Sequence, residues 1–80
     1  MQKIVGIKIG DRIEDAQKVQ NLLTEYGSVI KTRLGIRGEE LETDKGIIII
    51  EIDERNSEKS NELENKLDQL DSIETREMEF

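Results

Sequence analysis

Hydrophobic positions fill Ile47-Ile48-Ile49-Ile50 without a break, and alternation begins only with Glu51, Ile52 and Asp53. β-Branched residues suit an extended strand, where successive side chains point to opposite faces. Ile48, Ile50 and Ile52 then face a core. Ile47 and Ile49 face the other way and need a second cover. The sheet of a small antiparallel protein normally leaves one face to water, so the pattern predicts a partner subunit on that side.

The rest of the chain divides by its period. Lys3 to Ile9 alternates as a strand, with Val5, Ile7 and Ile9 on one side and Ile4, Gly6 and Lys8 on the other. Gly10 breaks it. Asp11 with Glu14 three residues on fits a helix start, and Ala16, Val19, Leu22, Leu23 and Tyr26 follow as a helical stripe. Gly27 is expected as a left-handed C-terminal cap. Ser28 to Leu34 reads as a second strand, with Ile30, Thr32 and Leu34 inward and Val29, Lys31 and Arg33 outward. A long loop from Gly35 to Lys45 leads to the isoleucine strand. Asn56-Ser57 caps a second helix over 58–70, with Leu63, Leu67 and Leu70 as its stripe. Ile73 to Phe80 makes a last strand.

The order β-α-β-β-α-β, with right-handed crossovers, predicts an α+β, ferredoxin-like sandwich: a four-stranded antiparallel sheet with two helices on one face. The first and third strands, the most apolar, are central. Residues 1–80 make a single domain. The uncovered face carries Ile4, Val29, Lys31, Ile47, Ile49 and Glu51, an apolar centre with a charged rim, as expected of a homo-oligomer interface, dimer or tetramer.

Composition removes many chemistries. The 80 residues contain no cysteine and no histidine, so thiolate nucleophiles, cysteine metal sites and the usual near-neutral general base are absent. Nineteen acidic against 12 basic residues give a net charge of -7. That disfavours nucleic acid, which is bound through clustered Lys and Arg, and it disfavours anionic membranes. No stretch approaches a membrane span. The expectation is a cytoplasmic protein that is not an enzyme and carries no cofactor and no metal.

Two sites carry alternatives. Gly10-Asp11-Arg12 joins the first strand to the first helix. It fits either an anion site, with close backbone approach at Gly10 and charge from Arg12, or a tight turn with a helix cap. Arg33 fits either anion binding or an ion pair with Glu51, across the hairpin or between subunits. The acidic run Glu39-Glu40-Leu41-Glu42-Thr43-Asp44 lacks the ligand spacing of a calcium loop and reads as a solvated loop. No phosphate-cradling glycine motif is present.

Ile7-Lys8-Ile9-Gly10-Asp11-Arg12, Asn21-Leu22-Leu23-Thr24-Glu25-Tyr26-Gly27 and Ile30-Lys31-Thr32-Arg33-Leu34-Gly35-Ile36 together resemble the small stand-alone regulators of the iron-only hydrogenase system. The 46–53 strand and Leu67-Asp68-Gln69-Leu70-Asp71-Ser72-Ile73 extend the resemblance over nearly the whole chain. It implies an ACT-like fold, similar to the regulatory domain of the nickel-responsive repressor. It also implies assembly through sheets, with a small effector at the interface. Together with the residue reading above, the first expectation is a regulatory module that binds a small anionic effector near Gly10, Asp11, Arg12 and Arg33 and passes its state to a protein partner. The repressor's nickel site needs histidine and cysteine and does not carry over. The alternative function is a purely structural protein–protein interaction module with no small ligand. Arg-rich and Gly-rich phosphate loops of acylphosphatase type are missing.

Overall fold

A computed structural model describes residues 2–10, 13–37 and 46–80. Strand β1 (Lys3–Lys8) leads to helix α1 (Ile13–Glu25), then β2 (Ile30–Arg37), β3 (Gly46–Ile52), α2 (Ser57–Asp68) and β4 (Glu74–Glu79). All neighbouring strands are antiparallel, in the order β2-β3-β1-β4, so β1 and β3 are central as expected. This is the α+β, ferredoxin-like sandwich read from the sequence.

Both helices lie on one face. Val5 and Ile7 from β1, and Ile48, Ile50 and Ile52 from β3, pack with Val19, Leu23 and Tyr26 at α1 and with Leu63 and Leu67 of α2. Among the described residues, twelve hydrophobic side chains are buried in this core. At about 1.5–3 kcal/mol for each large side chain taken out of water, they are the main force holding helices to sheet. Helix α2 starts where the Asn56 side chain accepts a hydrogen bond from Lys59 N, 3.2 Å away. Such a cap satisfies one of the donors a helix leaves unpaired at its start. At the edge of the core, Lys3 Nζ lies 2.8 Å from Glu64 Oε1 and 3.4 Å from Glu77 Oε2. Burial pushes the Glu64 carboxyl above its usual range, with Lys3 working against that shift.

The entry to β2 departs from the sequence reading. No described glycine has a positive φ, so Gly27 is no left-handed cap. Instead Gly27–Val29 forms a 3-10 turn in which Val29 N donates to Tyr26 O at 3.0 Å. Asp53 N then donates to Val29 O at 2.7 Å. These bonds draw Val29 inward, where it is 2 % exposed. Val29 belongs to the core and not to the uncovered face.

A second departure follows at once. Ile30 pairs with Ile52, but Thr32 pairs with Glu51, so β2 advances two residues while β3 advances one. The extra residue reverses which face each later β2 side chain occupies. Thr32 and Leu34, expected inward, lie outward with Ile36. Arg33, expected outward, lies on the helix face. Strand β2 also runs three residues beyond its expected end, into what the sequence suggested was loop.

Candidate functional site

The uncovered face can be read row by row from the register. One row holds Thr32, Glu51, Ile4 and Met78; the next holds Leu34, Ile49, Gly6 and Arg76; the third holds Ile36, Ile47, Lys8 and Glu74. Hydrogen bonds confirm the assignment: Glu51 accepts from Gln2 Nε2 at 3.4 Å and from Thr32 Oγ1 at 3.3 Å. Leu34, Ile36, Ile47 and Met78 are exposed, and Ile4 and Ile49 are half-buried. Large apolar side chains in contact with one another on a surface mark an interaction site.

Of the expected interface residues, Ile4, Ile47, Ile49 and Glu51 share this face. Lys31 sits at the register irregularity and is exposed. Val29 drops out. Leu34, Ile36 and Met78 join, none of which the sequence reading named for an interface. Strict alternation in Leu34-Gly35-Ile36 and Met78-Glu79-Phe80 showed that each set shares a face. The extra residue at Lys31 hid which face it was for β2.

The expected ligand residues do not converge within one chain. Arg33 opposes Ile50, which in turn opposes Val5, and Gly10 lies five residues further along. At about 3.3 Å per residue and 4.8 Å per strand, Arg33 and Gly10 are roughly 19 Å apart. The Arg33 guanidinium reaches α1 instead, where Nη2 donates to Gln20 Oε1. Across the hairpin of one chain, Arg33 does not pair with Glu51, because the two lie on opposite faces. Asp11 and Arg12 fall outside the described residues, as does the acidic loop at 39–44.

Gly10 serves a close backbone approach, and its neighbour there is the turn before β4. A Cβ at Gly10 would stand 2.1 Å from Ser72 O. Asp15, at 3 % exposure, secures the same turn: its Oδ2 accepts from Ser72 N at 3.2 Å and from Ser72 Oγ at 2.9 Å. The corner therefore ties the start of α1 to the α2–β4 turn. Among the described residues, no group of three or more His, Cys, Asp or Glu is placed to hold a metal ion. None of the described helices is long and apolar enough to cross a membrane.

Residues 2–77 match the TM1266-like family, described as "Iron-only hydrogenase system regulator, putative". The chain belongs to this family. Comparison with curated proteins gives no match. Among solved structures, the uncharacterized protein TM1266 from Thermotoga maritima is similar with a TM-score of 0.78 at 23 % identity. That alignment covers 96 % of this chain and 92 % of that one. The ACT domain of GTP pyrophosphokinase from Chlorobium tepidum gives 0.68 at 13 % identity, covering 98 % and 97 %. The regulatory subunit of aspartate kinase from Thermus flavus gives 0.58 at 17 % identity, covering 95 % of this chain and 50 % of that one. At these identities the likenesses establish the ACT-like fold, and the family match supports a regulatory role.

Proposed function

We propose that this TM1266-like chain is a regulatory module without catalysis of its own, which assembles with copies of itself through the uncovered sheet face and signals to a protein partner. The observation that carries the reading is the apolar band Leu34–Ile36–Ile47–Ile49, left open on a fold shared with regulatory domains. On this reading a small anionic effector binds at the β1–α1 corner, beside Gly10 and with charge from Arg12. Binding there shifts the population of assembled states, because an effector acts only through its differential affinity for them. The family match supports a place in the control of an iron-only hydrogenase system, with the effect on transcription exerted through the partner.

A second reading, a structural interaction module with no small ligand, has one observation in its favour. The Ser72 carbonyl already occupies the space that the absent Gly10 side chain leaves. Thermal unfolding with amino acids, nucleotides and inorganic anions separates the two. A ligand that binds only the folded protein raises the melting temperature by mass action, worth about 2.7 kcal/mol at a hundred times Kd. One class of compound giving a saturable rise supports the effector reading. A flat response across all classes overturns it in favour of the structural one.

A further inference from the structure

The uncovered face is not uniformly apolar, and the distribution of its charges fixes more than its stickiness. Apolar side chains run obliquely across it, from Leu34 and Ile36 on edge strand β2, through Ile47 and Ile49 on β3 and Ile4 on β1, to Met78 on edge strand β4, with Phe80 opposite Gln2 just past the strand end. On one side of this band lies Glu51, on the other Lys8 and Arg76. Asp53 stands beyond the end of β3 and is held by Arg55, whose Nε lies 2.9 Å from Asp53 Oδ1. Lys31, exposed at the register irregularity, adds its charge to that of Arg55 at Asp53, and Glu51 is the carboxylate that the described residues of the face present on that side. Arg76 pairs with Glu74 on its own strand, which leaves Lys8, among the described residues, as the excess cation of the opposite corner.

Resting on the proposal that copies dock through this face, we infer that the occupant is a second copy turned about a two-fold axis lying along the apolar band, so that Glu51 of each copy meets Lys8 and Arg76 of the other. A two-fold contact is isologous: whatever one copy presents must be answered by the same patch in the other. Strands about 4.8 Å apart and rows about 6.7 Å apart place Glu51 and the Lys8–Arg76 pair at matching distances on either side of the Ile49–Met78 line. The same operation sets Ile49 against its own copy and Ile47 against Leu34. Gly6, next to the axis, leaves open space on this face, since the nearest atom a Cβ there would meet is Arg76 O at 3.9 Å. The two sheets then cross steeply, in the orthogonal class of sheet packing.

Magnitude explains why charge and not area selects this arrangement. Four strands by seven residues give a footprint of roughly 19 by 23 Å, at the small end for a specific interface. Each chain carries a net charge of -7, so two copies repel at long range. Docking that set acid on acid would add to this repulsion. The two-fold along the band is the arrangement that opposes unlike corners, and complementary potentials fix register more than they add affinity.

A charge-swap experiment tests the register. Glu51→Lys in one preparation and Lys8→Glu with Arg76→Glu in another each place like charges against one another twice in a self-pair. Each should sediment at the 9.2 kDa of a single chain. In an equimolar mixture every contact is again between unlike charges, and the mass should double. Neutral Glu51→Gln, which introduces no repulsion, should weaken self-association about tenfold, the size expected of two solvent-edged charge pairs. Circular dichroism should match the parent for all variants, whose altered side chains are not in the core. If both charge variants self-pair as tightly as the parent, or if the mixture stays monomeric, the register is overturned. If Ile49→Lys leaves the parent's mass unchanged, or the parent itself is a monomer, the docking of copies through this face fails as well.

Discussion

Gly10 shows how much the absence of a side chain can decide. Its contact with Ser72 O leaves no room for a methyl group, and the obstacle is backbone, which cannot rotate away. Gly10→Ala should cost about 1–3 kcal/mol of unfolding free energy by urea titration, the usual range for overpacking. A neutral result would mean that the 70–73 turn is free to move. Asp53 gives a prediction in pH. Hydrogen bonds from the Arg55 side chain and backbone hold its carboxyl down at about 2, against an ordinary 3.8. A depressed carboxyl contributes stability that is fully present above 3.8 and is lost as pH falls through about 2. Asp53→Asn should therefore lower the melting temperature at pH 7 and flatten the fall in stability between those two values. An acid limb identical to the parent's would exclude the bond with Arg55 as a source of stability.

At the scale of elements, β2 is the strand whose two faces the structure reassigned. Leu34 looks like a core residue by alternation with Ile30, yet it is 55 % exposed because Lys31 adds one residue to the ladder. The two placements differ in consequence. A leucine truncated in a packed core costs about 2–5 kcal/mol, whereas an exposed one costs within about 0.5 kcal/mol. Leu34→Ser, made in an Ile49→Lys background so that assembly does not contribute, should leave the urea midpoint almost unchanged. A shift of several kcal/mol would return Leu34 to the core. The helices were easier to read, since the stripe Val19, Leu23, Tyr26 and the pair Leu63, Leu67 are all buried as their spacing required.

For the whole molecule, the decisive fact is that two helices cover only one of two apolar sheet faces. A small domain hides a modest fraction of its surface by folding alone, and association is one way to hide more. Folding and association are then linked by mass action. The parent's melting temperature should rise with protein concentration. Ile49→Lys, which puts a charge on the axis of the face, should abolish that dependence and sediment as a single chain. A parent whose melting temperature is independent of concentration would refute assembly under those conditions. By the same linkage, any ligand that favours one packing of copies would shift the assembly.

The sequence alone determined the element order, the central strands, the two helical stripes and the excess of apolar surface, because these follow from the period of the hydrophobic positions. It also placed Ile4, Ile47, Ile49 and Glu51 on one face, since β1 and β3 pair without interruption. Tertiary structure decided the rest. The burial of Val29 comes from a turn tightened by Tyr26 and Asp53, and the face of Arg33 and Leu34 comes from one extra residue opposite β3. The role of Gly10 depends on a carbonyl 62 residues away in the chain. Period-two patterns report only that alternate residues share a side; which side that is depends on hydrogen bonds to strands distant in sequence.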